Sequence, residues 1–240
     1  MSRLAAFLFA LFVAFPVAAQ IDCNAGMAAI ERDADSRMST QDFIKDVVTN
    51  ELVLSKAYAD YGYKMEISVQ TLDGDRVDGE YRRTSTIDFD AQGKRRETVM
   101  DGVVNTLQRL RIGDRDFDGL REAFTLTAAK VAENDIVFSG RQKVGEVNAA
   151  LFDILPRNQS ADVRGFEGRT WVIVRDNAVM HTCGRTAASP IAPMRFDVTR
   201  APIDGKYWFP VLVRADEDAH LGRDIVHVRV TVKYSDYKAR

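Results

Sequence analysis

Between Val226 and Tyr234 every second residue is large and apolar (Val226, Val228, Val230, Val232, Tyr234), while His227, Arg229, Thr231 and Lys233 between them are polar. A period of two is the mark of a strand with one buried and one wet face, because successive side chains point to opposite sides of the pleat. The pattern recurs. Tyr63, Met65, Ile67, Val69 and Thr71 alternate with Lys64, Glu66, Ser68 and Gln70, and Tyr81, Ile87 and Phe89 share a face with Arg83 and Ser85 between them. Further strands are expected up to about Met100, then over 136–144, 147–155, 168–175, 178–185, 194–200, 207–216 and 224–234. Val103–Ile112 is compatible with one more. Asp73-Gly74, Gln92-Gly93, Gly145 and Asp176-Asn177 supply turns between them.

Helical spacing is confined to a few places. Phe43, Val47, Leu54, Tyr58 and Tyr61 fall on one face of a helix over Thr40–Tyr61. A weaker helix is expected over 24–38, where Met27, Ile30 and Ala34 share a face, and a short one within Phe117–Lys130. The fold class is therefore α+β, mainly β. The expected architecture is a curved antiparallel sheet forming an incomplete β-barrel, covered by N-terminal and inserted helices. With so little helix to cover so much sheet, the concave side is expected to hold something else, a ligand cavity or a packed core.

The first nineteen residues, MSRLAAFLFALFVAFPVAA, read as an export signal. Arg3 supplies the positive start, Leu4–Phe15 the apolar run, and Val17 and Ala19 the small residues before cleavage at Gln20. The run is shorter than the roughly 20 residues of a membrane-spanning helix. Cys23 follows Gln20, Ile21 and Asp22, which do not fit a lipoprotein signal. The expected product is a single domain, 20–240, in the periplasm, without stable membrane insertion and without ready access to ATP or reduced nicotinamide.

The 35 acidic residues outweigh the 33 basic ones. No basic patch stands out, so nucleic acid is excluded as an expected partner. In an oxidising compartment Cys23 and Cys183 are expected to pair, with two free thiols as the alternative.

Constellations that carry chemistry are missing. His181-x-Cys183 lacks companion ligands for a closed metal site. There is no G-x-S-x-G, no glycine-rich phosphate loop and no EF-hand spacing. The expectation is a protein that is not an enzyme and uses no cofactor and no metal.

The second half carries a resemblance. FDILPR (Phe152–Arg157), FEGRTWVIVRDNAVMHTCGR (Phe166–Arg185) and DGKYWFPVLVRADE (Asp204–Glu217) occur in that order, with Gly168, Trp171, Asp176, Trp208 and Pro210 at its recurring positions. This resembles the periplasmic lipoprotein-carrier superfamily, the LolA-like and LolB-like proteins and outer-membrane lipoprotein-sorting proteins. The resemblance implies an incomplete antiparallel barrel closed by helices, with an apolar interior for acyl chains. On that basis the chain is expected to be a monomeric carrier of a lipid or lipidated protein, its ligand lined by Tyr63, Ile67, Tyr81, Phe89, Trp171, Phe196 and Trp208. The competing expectation is an envelope protein-interaction module whose barrel is filled by its own side chains.

Overall fold

The computed structural model describes residues 22–25, 27–32, 40–113, 117, 125–157, 166–186, 194–221 and 223–240 of the 240; the expected export signal lies outside the described residues. Helix α1 (Thr40–Ala57) passes through a 3₁₀ turn (Tyr58–Asp60) directly into strand β1 (Tyr61–Asp73). Strands β2 (Arg76–Phe89) and β3 (Arg95–Asn105) follow, then a short helix α2 (Ala128–Glu133). Next come β4 (Asn134–Val144), β5 (Val147–Pro156), β6 (Phe166–Ile173) and β7 (Ala178–Thr186). The chain finishes with β8 (Arg195–Ile203), β9 (Tyr207–Leu221) and β10 (Asp224–Ala239).

All ten strands form one antiparallel sheet in the order β3-β2-β1-β10-β9-β8-β7-β6-β5-β4. Every neighbour is a sequence neighbour except one pair: the first and last strands meet in the middle. β3 and β4, consecutive in the chain, are therefore the two edge strands of the described sheet, and the barrel is incomplete. The connection between them carries Leu110, Phe117 and Leu126 into the same core as the sheet's inner face.

One inner row can be followed through the register of all ten strands: Val103, Arg83, Ile67, Val232, Val213, Val198, Thr182, Thr170, Phe152 and Phe138. The alternation read from the sequence is what holds this register, since a slip of one residue would turn the whole apolar set outward. α1 lies across the inner face against β7 and β9, with Phe43, Ile44, Val47, Leu54 and Ala57 buried. Phe43 stacks on Phe152 at 5.4 Å.

Two expected elements differ, and a third lies mostly outside the described residues. The segment around 24–38 is not a helix where it is described: Glu31 pairs antiparallel with Arg141, and Met27 and Ile30 pack on the sheet, so 27–32 is an extended strap. Pairing with an open sheet edge satisfies its backbone better than a weak helix does. The strand over Val103–Ile112 stops at Asn105, just after Asp101 and Gly102 take positive φ and bulge the edge. Of the short helix expected within Phe117–Lys130, 118–124 lie outside the described residues; α2 starts at Ala128, where the Thr127 hydroxyl accepts from the Lys130 N–H.

Candidate functional site

Among the described residues the concave side is packed. Tyr63, Ile67, Tyr81 and Phe196 are buried in the main core, and Phe89 packs against it. Tyr58, at the end of α1, meets Tyr63 and Phe209 at 5.1 Å, and Phe209 meets Tyr61 at 5.1 Å and Tyr237 at 5.3 Å. These rings close one end of the half-barrel. Burial among them pushes the Tyr58 phenol well above its ordinary pKa. The interior spaces nearby are small: about 30 Å³ beside Glu51, Tyr58 and Arg200, and about 20 Å³ beside Leu126, Ile154 and Phe166. Such volumes suit about one water each.

Trp171 does not share that interior. It is fully buried on the opposite face, with Ala149, Leu151, Ile173, Met180 and Cys183. Trp208 packs partly against the same outer cluster, because its strand neighbour Phe209 takes the inward position. The seven residues expected to line one ligand thus divide between two faces. Trp171 Nε1 donates to Gln142 Oε1 at 2.6 Å and its ring meets the His181 imidazole edge-on at 4.6 Å. Cys183 is in a disulfide with Cys23, Cα–Cα 5.7 Å, so the His181-x-Cys183 pair offers no thiolate ligand. His181 lies 3.1 Å from Asp197, which also accepts from Arg214 at 2.6 Å. Burial holds the His181 pKa below its ordinary value; the Asp197 charge opposes that and Arg214 adds to it.

A charged pair ties the helix to the sheet. Arg200 on β8 donates two hydrogen bonds, at 2.6 and 3.0 Å, to the Glu51 carboxylate on α1, and both side chains are buried. The sequence contains a signal for it: Glu51 sits within the apolar stripe of Val47, Leu54 and Tyr58, and Arg200 continues the inward series of Phe196 and Val198. Two opposite charges placed inside apolar stripes are expected to find each other.

Among the described residues, a large apolar concavity lies where sequence reasoning placed nothing. Between the first half of α1, α2 and the β4 edge is a groove of about 810 Å³. Ile44, Val48, Val131, Ile136 and Val137 form its apolar lining, with Gln41, Lys45, Asp135 and Arg157 among its polar groups. Arg157 pairs with Asp135 at 2.9 Å and Lys45 with Asp42 at 3.1 Å. Val137 is 53% exposed although it sits in a strand.

No family model matches the chain, and no curated protein does. Solved structures that are similar include a DUF1329 family protein from Desulfovibrio piger, at 12% identity and TM-score 0.41 over 82% of this chain and 92% of that one. A LolA superfamily protein from Nitrosomonas europaea shares 11% identity with a TM-score of 0.36, over 80% and 93%. An outer-membrane lipoprotein-sorting protein domain from Vibrio parahaemolyticus shares 9% identity with a TM-score of 0.40, over 81% and 91%.

Proposed function

We propose that the chain is an exported, periplasmic binder of hydrophobic chains, a lipid or the acyl portion of a lipidated protein, and that the ligand lies in the groove between α1, α2 and β4. The observation that carries this reading is the groove itself. Its volume of about 810 Å³ is within the range of small-molecule sites, and such sites are mostly apolar with a few placed polar groups. Binding here is desolvation without chemistry: each methylene moved from water to the lining contributes about 0.8 kcal/mol. The inner-face residues Tyr63, Ile67, Tyr81 and Phe196 are buried in the core and do not line the groove.

Titration with a fluorescent fatty acid tests this. Val48→Asp and Val131→Asp place a charge in the lining while leaving the sheet core intact, and each is expected to weaken uptake at least about ten-fold. Unchanged affinity in both folded variants removes the groove from the reading.

One observation favours a second reading. β4 is an edge strand, and the strap hydrogen-bonds to it at Arg141 and Lys143, leaving Asp135–Val137 beside the groove. An extended segment of an envelope protein could add there as an eleventh strand, its apolar side chains in the groove. That reading predicts no fatty-acid uptake and saturable binding of a peptide with alternating apolar residues.

A further inference from the structure

The outer face carries an apolar cluster that the groove does not use. It is buried by a strap, residues 22–32 as far as they are described, whose Met27 and Ile30 pack on it. Gln142 Nε2 donates to the Ala28 carbonyl at 2.6 Å, and the Ala28 N–H donates to the Lys143 carbonyl at 3.2 Å. Glu31 and Arg141 exchange both backbone hydrogen bonds at 2.8 Å. Gly140 is shaped for this approach: its φ is +135°, and a Cβ there would sit 2.5 Å from the Glu31 carbonyl oxygen.

These are the described ties besides the packing of Met27 and Ile30. The net contribution of each hydrogen bond is small beside the backbone entropy lost for every residue of the strap that is ordered. The Cys23–Cys183 bond, which spans 160 residues of chain, adds a covalent hold. It is also reachable. Both cysteines border an open cleft of about 420 Å³ on the outer face, together with Asp22, Asn24, Gly168, Arg169 and Arg185. Cys23 is half-buried and Cys183 is 1% exposed, so an incoming group meets Cys23 first.

We propose that Cys23–Cys183 is a thiol-exchange site that latches the strap, and that reduction by a dithiol releases residues 22–32 from the outer face. A thiolate of the dithiol attacks Cys23 Sγ, the S–S bond breaks, and Cys183 leaves as a thiolate that takes a proton from solvent. The donor's second thiol then displaces Cys23, which is protonated in turn. Two electrons pass to the protein and the donor becomes a disulfide. The released strap uncovers Trp171, Met180 and the Arg141–Lys143 part of the β4 edge. None of this depends on what occupies the groove.

Hydrogen exchange and thiol alkylation of the folded protein, with and without dithiothreitol, test the latch. On reduction the Ala28, Glu31 and Arg141 amides are expected to exchange at least about ten-fold faster, while those of β1 and β10 do not change. Cys183 should become open to iodoacetamide, and reoxidation should restore both signals. Cys23→Ser should reproduce the reduced state without any reductant. A disulfide that resists dithiothreitol in the folded protein overturns the proposal. So does a reduced chain whose Arg141 amide stays protected and whose Cys183 stays unreactive. Exchange of β1 and β10 amides in step with the strap would also overturn it, because the bond would then be a staple of the whole fold.

Discussion

Replacing Glu51 with Leu removes one partner of the ion pair that fastens α1 to the sheet. The Arg200 guanidinium loses the Glu51 carboxylate in a place where its side chain is 7% exposed. Truncating one member of a buried pair costs about 3–5 kcal/mol, most of it the penalty of the stranded charge rather than the worth of the bond. For a domain of about 150–250 residues, each kcal/mol lowers Tm by about 2–4 °C, so a fall of about 10 °C is expected. The double variant Glu51→Leu/Arg200→Met removes both charges and fills the space with apolar atoms. It is expected to regain most of the loss, or to exceed the parent, since apolar replacements of buried pairs are often neutral or stabilising by about 1–4 kcal/mol. Calorimetry of the oxidised proteins measures both. A single variant that shifts Tm by less than about 3 °C, or a double variant no better than the single, would refute the claim that the pair is buried and mutually dependent.

Acid should weaken the fold through His181. Its folded pKa lies below the ordinary value, so the unfolded chain binds more protons and stability falls as pH drops below about 6.5, by at most about 1.4 kcal/mol per pH unit. Urea unfolding at a series of pH values should show this slope in the parent and a shallower one in His181→Gln; equal slopes would assign the effect elsewhere. Gly168→Ala should be strongly destabilising, because a Cβ there would lie 2.3 Å from the Cys183 carbonyl oxygen on the neighbouring strand. A loss of about 1–3 kcal/mol or more is expected from such overpacking, read as a lower urea midpoint, and a neutral substitution would show that β6 and β7 can separate there.

The sheet was legible because its signal is local. Val226–Tyr234 and Tyr63–Thr71 each state their own buried face, and these two runs pair with each other inside the sheet. The Cys23–Cys183 pairing was also within reach, from compartment and count. Which face of the sheet a residue meets was harder. Trp171 looked like a cavity residue, but inside and outside of a curved sheet carry the same alternation when a strap covers the outer face. The strap itself was misread as helical from Met27, Ile30 and Ala34, since three apolar residues do not separate a helix from an edge segment held by β4 and a disulfide. The groove was invisible for a related reason. Val48, Val131 and Val137 are ordinary members of three separate elements, and only the topology, which brings α1, α2 and the β4 edge together, makes them neighbours.

The most direct measurement is photolabelling of the mature protein with a diazirine fatty acid, followed by peptide mapping. Label on 41–48 of α1, 128–131 of α2 and 135–137 of β4 is expected, displaced by unlabelled fatty acid. No displaceable label, or label on the inner-face peptides around Tyr63–Ile67 and Tyr81, would contradict the groove as the binding site.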